Sequence, residues 1–598
     1  MRASNRRPEP GNGLTGETVL LLLLVVGLLG GLGAVWLGMT VGHKWAGTGA
    51  RLPESPFDMT FGLLDGRLQW PGWQGWAVLG LALVALVLLL TFFGWIIFGG
   101  KKHRTHVDHK ATYMGRGKDI APLSEKAARA TAQRLGVQNS PGVQIGRTVS
   151  TGQTLFGSWE DMHIDIWGPR TGKTTSRAVP AILDAPGATL VTSNKRDVLD
   201  ATRGPRSERG RVWVFDPQQI ANEPADEWWW NPLSYVTDEV KAAKMAGHFA
   251  SGSREPGART DAFFDPAGQD LLAGLLLAAA KEGRALSQVY RWLTRPRDEE
   301  PVEILRRHGF PMIADQVAGV IDSPEKQRGG VYGTAQQMAA CLTNSRIMDW
   351  VQTRGDGDGR RQFDPAAFVD GAETLFLLSR EGKGTAGPLV TALTVAVVEA
   401  AEEKATRSPG GRLPVPMLGV LDEAANVCRW AELPALYSHY GSRGIVLMTI
   451  LQSWSQGVDV WGESGMRKLW SAANIKVYGG GVAEVGFLRD LDQLIGSYDR
   501  MSASSTVGKG HASTSRQLQR DRILDVDELA SLPKGRAVVL ASGTRPTMVR
   551  TLPWMTGKHA EAVKASIQAH DPMAQNTLTE ADAEVAAVAR AEKERAAA

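Results

Sequence analysis

Ile164-Asp165-Ile166-Trp167-Gly168-Pro169-Arg170-Thr171-Gly172-Lys173-Thr174-Thr175 decides how this chain is read. A short alternating strand breaks into a glycine-bounded loop and then enters a helix. Gly172-Lys173-Thr174 has the form of the end of a phosphate-binding loop. The Gly lets backbone N–H groups turn inward on phosphates, the Lys reaches the β/γ-phosphates, and the Thr174 hydroxyl ligates Mg²⁺ at a helix N-terminus. Gly168, Arg170, Thr171, Gly172, Lys173, Thr174 and Thr175 are therefore the candidate nucleotide-binding residues. The full pattern has four residues between its two glycines, and here only Pro169, Arg170 and Thr171 separate Gly168 from Gly172. Either the loop is one residue short, or Trp167 stands where the first Gly usually is. A helix start with a surface Lys is the plain alternative, and the preceding strand weighs against it.

Working outward, further apolar runs rich in β-branched residues alternate with helical segments. Strands are expected at His163 to Trp167, Ala188 to Thr192, Val212 to Phe215, Thr374 to Leu378, Met417 to Leu421, Ile445 to Ile450 and Ala537 to Leu540. Continuous apolar runs of this kind suit strands buried on both faces of a parallel sheet, with ligands at their carboxyl ends. Met417-Leu418-Gly419-Val420-Leu421-Asp422-Glu423 ends such a strand in two acids. Asp422 is the candidate Mg²⁺ ligand with Thr174, and Glu423 the candidate base for an attacking water. Gln452, closing Thr449-Ile450-Leu451-Gln452-Ser453, is placed to sense a γ-phosphate. Between about Asp238 and Ala366 strands give way to helical patterns, one opening at Asp265-Pro266 and another running Thr334 to Trp350. The expectation is an α/β core interrupted by an inserted all-α domain.

Nearer the N-terminus, Val19 to Val41 and Trp76 to Phe98 are uncharged apolar runs of about 23 residues, each enough to cross a bilayer. Arg2, Arg6 and Arg7 precede the first, and Lys101, Lys102, Arg104 and Lys110 follow the second. The connecting loop balances Lys44, Arg51 and Arg67 with Glu54, Asp58 and Asp65. Positive-inside logic puts both termini and the body in the cytoplasm and the short loop outside. A cleaved leader is a poorer reading, because the first run is long and a second follows. The net charge of +4 over 598 residues is too small to argue for nucleic acid by itself. Cys341 and Cys428 are the two cysteines, so a disulfide framework or zinc cluster is excluded.

The resulting layout is a membrane region at 1–110, a linker at 111–155, a nucleotide-binding core at 156–237 and 367–557, the helical insert at 238–366, and a helical or disordered tail at 558–598. Ser502 to Arg516 reads as a flexible polar loop able to offer Lys509, His511 and Arg516 to phosphates.

The order of landmarks resembles the type IV coupling proteins, the TraG/TraD-like membrane ATPases of conjugation and type IV secretion. The spans, the loop at Lys173, Ser193-Asn194-Lys195-Arg196-Asp197, Phe215-Asp216-Pro217 and Trp230-Asn231-Pro232-Leu233 stand in family order. So do the insert, Asp422-Glu423-Ala424-Ala425-Asn426, Leu451-Gln452-Ser453 and the stretch from Asp527 to Pro546. The resemblance implies a RecA-like P-loop NTPase core with two N-terminal transmembrane helices, using ATP and Mg²⁺. It implies a homohexamer at the cytoplasmic membrane driving single-stranded DNA with an attached relaxase into a secretion channel. It also implies that Arg443 reaches a neighbouring subunit's ATP. Ser193-Asn194-Lys195 departs from the Asp-Pro-Lys of some members, so Lys195 receives no catalytic role. The other functions compatible with these residues are an FtsK-like translocase of duplex DNA, a non-hydrolysing docking scaffold, and protein export without DNA.

Overall fold

The computed structural model describes residues 16–98, 105–253, 261–382, 385–508 and 511–597, in two compact units. One takes in Met1–Arg104, Tyr498–Asp521 and Val588–Ala598; the other takes in Thr105–Ser497 and Arg522–Ala587.

In the first unit both apolar runs are helical, within Gly16–Ala46 and Gly72–Phe98. Their stretches Val25–Ala46 (22 residues) and Gly72–Thr91 (20 residues) are long and apolar enough to cross a bilayer. Glycines let the two helices pack closely. A Cβ at Gly42 would sit 2.7 Å from Gly75 Cα, and one at Gly30 would meet Leu86. His43 closes the end of the first helix through Thr48 Oγ1 (2.6 Å) and Gln69 O (2.9 Å). The segment expected to be a flexible loop pairs instead as a two-stranded sheet, Ser497–Gly508 with His511–Arg522. Its Ser/Thr alternation has no apolar face, so periodicity alone could not mark it. Lys509 and the side chains of His511 and Arg516 lie outside the described residues.

The second unit is built on an eleven-stranded sheet. In chain order the strands are β1 Val143–Thr148, β2 Thr154–Gly157, β3 His163–Ile166, β4 Thr189–Ser193, β5 Val212–Phe215 and β6 Thr374–Leu378. They continue with β7 Met417–Leu421, β8 Ile445–Leu451, β9 Ile475–Tyr478, β10 Arg536–Ala541 and β11 Thr547–Arg550. Across the sheet the order is β2-β1-β11-β10-β9-β3-β8-β7-β4-β6-β5. From β9 to β5 all neighbours are parallel. The β10, β11, β1 and β2 edge is antiparallel. Every residue of β3, β4, β6, β7 and β8 is buried, as two-sided coverage by helices requires.

The seven expected strands are all present, and four more were not read. The most consequential lie at 143–157. There the segment taken for a linker forms two short 3₁₀ turns, a helix at Glu125–Arg134, and strands β1 and β2. Val143, Ile145 and Thr148 are buried, but a register shift between Gln144 and Gly146 breaks their alternation and hid the strand. Asp108 ties the start of this unit to the sheet through Arg536, with Nε–Oδ1 at 2.7 Å and Nη2–Oδ2 at 2.9 Å.

Between β5 and β6 lie helices at Glu239–Ser253, Phe264–Lys281, Leu286–Leu293, Glu300–Arg307, Pro311–Ile321, Glu325–Met338 and Ser345–Val351. Two-residue strands at Trp228–Trp229 and Arg361–Gln362 pair at their base, the second within the stretch expected to hold none. The helix expected from Thr334 to Trp350 is broken, because Asn344 caps a new helix by accepting from Arg346 N at 3.0 Å. The Leu271–Leu277 helix opens on Asp261, which accepts from Phe263 N and Phe264 N, rather than on Asp265. Both cysteines are buried thiols. The helix Ala560–His570 packs Val563 and Ile567 against Leu183 and Ala201, and Ser566 Oγ donates to Asp200 O at 2.6 Å.

Burial alone would raise the Asp108 carboxyl, but its bonds to Arg536 and Thr105 outweigh that and hold it below the ordinary 3.8. A carboxyl depressed in the fold contributes stability above its unfolded value, and loses it as pH falls through the folded one. Asp108→Ala is expected to cost about 3–5 kcal/mol at neutral pH by stranding the Arg536 cation. Adding Arg536→Met is expected to recover most of that. Tryptophan-fluorescence denaturation of the detergent-solubilised chain at pH 7 and at acid pH measures both, and the gap between the wild type and Asp108→Ala should narrow at the lower pH, where protonation likewise removes the carboxylate charge from Arg536.

Candidate functional site

β3, β8 and β7 lie side by side in parallel, with Leu451 level with Ile166 and Thr449 level with Leu421. This register brings three chain segments to one edge. The loop 168–173 leaves β3, Gln452 leaves β8, and Asp422 and Glu423 leave β7.

Trp167 is not the first residue of the loop in any structural sense. Its backbone continues the strand (Trp167 N to Leu451 O, 3.0 Å), and its ring is fully buried among Ile120, Val477 and Val539. The loop proper starts at Gly168, whose N–H donates to Gly480 O at 2.9 Å. A Cβ on Gly168 would run into the carbonyl oxygen of Gly481, a backbone atom with no freedom to yield. Only three residues therefore lie between the two glycines. Arg170 (φ 60°) and Gly172 (φ 93°) supply the left-handed turns, and Thr171 Oγ1 donates to Gly168 O at 2.5 Å. The first helical bond is Ser176 N to Gly172 O at 3.0 Å. The amides from Gly172 to Thr175 thus precede the helical ladder and are free to face an anion. Thr174–Ala178 is a turn of π-helix before Val179–Asp184 continues as α-helix.

Lys173 turns back onto the carboxylates. Its Nζ lies 3.2 Å from Asp422 Oδ1 and forms a short ion pair with Glu423 Oε1. Gln452 Nε2 donates to the same Glu423 oxygen at 2.7 Å. Asp422 and Glu423 are 4% and 3% exposed. Burial pushes the Asp422 carboxyl up to about 6 against the pull of Lys173. Burial would depress the Lys173 ammonium, but the two carboxylates outweigh it and hold it above 10.5. Asp422 Oδ1 accepts no hydrogen bond, although Lys173 stands beside it. Glu423 itself is left-handed at φ 55°, which swings its side chain off the strand direction.

Beneath the loop, Arg177 and Asp165 form a fully buried pair (Nε–Oδ2 2.6 Å) with His163 Nδ1 at 3.2 Å, fixing the helix to β3. Burial and the Arg177 charge hold His163 well below 6.5, so it is neutral. Neither this pair nor the Gly480–Gly481 wall was read from the sequence. The only signal for the wall is the Gly479-Gly480-Gly481 run itself. Arg443 is the one candidate not brought to this edge. It precedes β8 at the opposite end of the strand and is paired with Glu402.

Residues 416–534 match the family model described as the TraM recognition site of TraD and TraG. Over this stretch the chain is similar to the TraG/TraD family. The resemblance to type IV coupling proteins carried by the motif order is borne out. No curated protein is similar enough to the chain to count as a match. Similar solved structures include the bacterial conjugative coupling protein TrwBdeltaN70 in an unbound monoclinic form. It is 15% identical with a TM-score of 0.49, covering 71% of this chain and 91% of that one. Plasmid coupling protein TrwB in complex with ADP and Mg²⁺ is 16% identical with a TM-score of 0.49, covering 68% and 90%. VirB4 of Thermoanaerobacter pseudethanolicus is 12% identical with a TM-score of 0.40, covering 71% and 98%.

Gly168→Ala tests the shape of this loop without touching a charge. The added methyl must displace either the loop or the Gly480–Gly481 turn, so nucleotide affinity is expected to fall by about tenfold or more, as a loop misplaced by an ångström would imply. Fluorescent-nucleotide titration beside a melting curve checks it; unchanged affinity would mean the loop is not held against that wall.

Proposed function

We propose that this chain is the membrane-anchored ATPase of a type IV secretion or conjugation system. On this reading it recruits single-stranded DNA with an attached relaxase and uses ATP hydrolysis to drive the DNA into the secretion channel. The observation that carries the reading is the convergence of Lys173, Asp422, Glu423 and Gln452 at one sheet edge, with Lys173 held to Glu423 and Gln452 on the same oxygen. The TraG/TraD match supports the type IV assignment.

The residues present suit a magnesium nucleotide. The Asp422 oxygen that accepts no hydrogen bond is a vacant acceptor suited to a hard cation. No cluster of three His, Cys, Asp or Glu side chains occurs among the described residues, so a cation held here would draw on Thr174, Asp422 and oxygens of the nucleotide and water. Mg²⁺ bound there would offset phosphate charge. Lys173 leaves Glu423 to serve the β/γ-phosphates, the amides of 172–175 face the phosphates, and Pro169 contributes none. Glu423, released from the ammonium, takes the proton of the attacking water while Gln452 orients it. Arg443 would act only on a neighbour's nucleotide in a hexamer, exchanging Glu402 for it. The two apolar helices would anchor the protein in the cytoplasmic membrane with both termini and the body inside.

ATP hydrolysis by the full chain in detergent, with and without single- and double-stranded DNA, tests this. Single strands are expected to stimulate turnover. Lys173→Ala is expected to abolish nucleotide binding, and Glu423→Gln to bind normally but turn over about 10²–10⁴-fold more slowly. Stimulation by duplex alone would point to a duplex translocase, and a folded chain that neither binds nor hydrolyses ATP would leave a docking scaffold.

A further inference from the structure

A line of side chains runs across the same sheet edge and ends on Glu423 from the side away from Lys173. Asn426 Nδ2 donates to Glu423 Oε2 at 3.3 Å and to Glu381 Oε1 at 2.8 Å. Asn194 Nδ2 donates to that same Glu381 oxygen at 2.8 Å. Asn194 follows β4, Glu381 follows β6 and Asn426 follows β7, so three loops meet in one chain of bonds. A carboxylate only accepts, and Asn426 faces two of them. Its amide must therefore present nitrogen, and the flip is settled by chemistry. Its backbone is equally constrained. Asn426 N and Val427 N both donate to Glu423 O, at 2.9 and 3.0 Å, because the left-handed Glu423 starts the short helix Ala424–Val427.

The two Glu423 oxygens have different donors. Oε1 is shared by Lys173 and Gln452, while Oε2 takes Asn426. Once Lys173 turns to phosphates, one neutral amide remains on each oxygen. Neutral donors fix the plane of the carboxylate without the strong loss of basicity that a paired cation imposes. Among the described residues Glu381 makes no hydrogen bond to Glu423 itself; it reaches Glu423 through Asn426.

We propose that Asn426 is a positioning residue for Glu423, and that Glu381, braced by Asn194, is the anchor that aims the Asn426 amide. This rests on the reading of the chain as an ATP hydrolase. It makes the loops after β4 and β6 part of what sets the hydrolysis rate, although neither carries a group that reacts.

Steady-state ATP hydrolysis by the full-length protein in detergent tests it, with Asn426→Ala, Glu381→Gln, the double variant and Asn426→Asp, each with a melting curve. Asn426→Ala is expected to lower kcat about 10- to 100-fold with KM for ATP changed by less than about threefold. Glu381→Gln should lower kcat less, and the double variant should be no slower than Asn426→Ala, since Glu381 acts through that amide. Asn426→Asp keeps the volume but sets a carboxylate where Glu423 needs a donor, so it should lower kcat at least as far as Asn426→Ala. A wild-type kcat in Asn426→Ala or in folded Asn426→Asp, a loss confined to KM, or multiplicative effects in the double variant would each overturn the proposal. A wild-type chain with no turnover would overturn it together with the hydrolase reading, whereas turnover with indifferent variants would overturn it alone.

Discussion

The ammonium of Lys173 is held by two carboxylates that are almost wholly withdrawn from water, and the register of three parallel strands is what makes that possible. Taking such groups out of water costs several kcal/mol per ion unless partners are supplied. The sheet supplies them. β8, lying between β3 and β7, sends Gln452 onto the oxygen that Lys173 shares. Asp422 retains the cost in visible form, with a carboxyl pushed up to about 6 and one oxygen accepting nothing. An arrangement left incomplete in this way is poised for a ligand that brings its own positive charge to Asp422 and its own negative charge to Lys173.

Much of the remaining fold holds that register. Below the loop, Arg177 and Asp165 close a buried pair between the helix and β3, so the loop cannot tilt without breaking it. Arg206, fully buried, donates to Ala185 O, Gly187 O, Ala372 O and Thr374 Oγ1, gathering the loops that enter β4 and β6 at the opposite end of the sheet. No carboxylate pairs with it in these bonds, and burial lowers it to about 10. Three carbonyls and one hydroxyl satisfy its planar fork, which a lysine could not replace.

What could be read in the sequence follows from where burial writes a pattern. β7 and β8 are continuous apolar runs because both faces are covered, and their ends carry Asp422, Glu423 and Gln452, so strands and acids were legible together. β1, β2 and β11 sit on the antiparallel edge, where Gln144, Gly146 and Arg147 interrupt the pattern; β1 pairs β2 locally across a register shift, but its other partner, β11, lies far along the chain at Val549 and Arg550. Local composition reports neither the shifted hairpin nor the distant pairing, which is why 111–155 reads as a linker. The same holds for Arg177 and Asp165, whose meaning is a contact rather than a motif. Arg443, which only the family resemblance singled out, and for a neighbouring subunit's ATP, stands at the other end of β8, where Glu402 takes its charge.

The shortened loop shows how far a motif can depart from its pattern when its surroundings change with it. One residue fewer means one amide fewer, and Pro169 removes another. The loop recovers curvature through Arg170 at φ 60°, a conformation that costs a non-glycine residue on the order of 1 kcal/mol, and through Gly172 at φ 93°. Its outer wall is the Gly480–Gly481 turn that follows β9. Gly168 is thus required by the backbone of a strand about three hundred residues away rather than by phosphate. Trp167 is buried for the same reason, since Gly479 leaves room for its ring where any side chain would collide. The loop and the turn after β9 therefore constrain one another, since neither Gly168 nor Gly479 can carry a side chain where it stands.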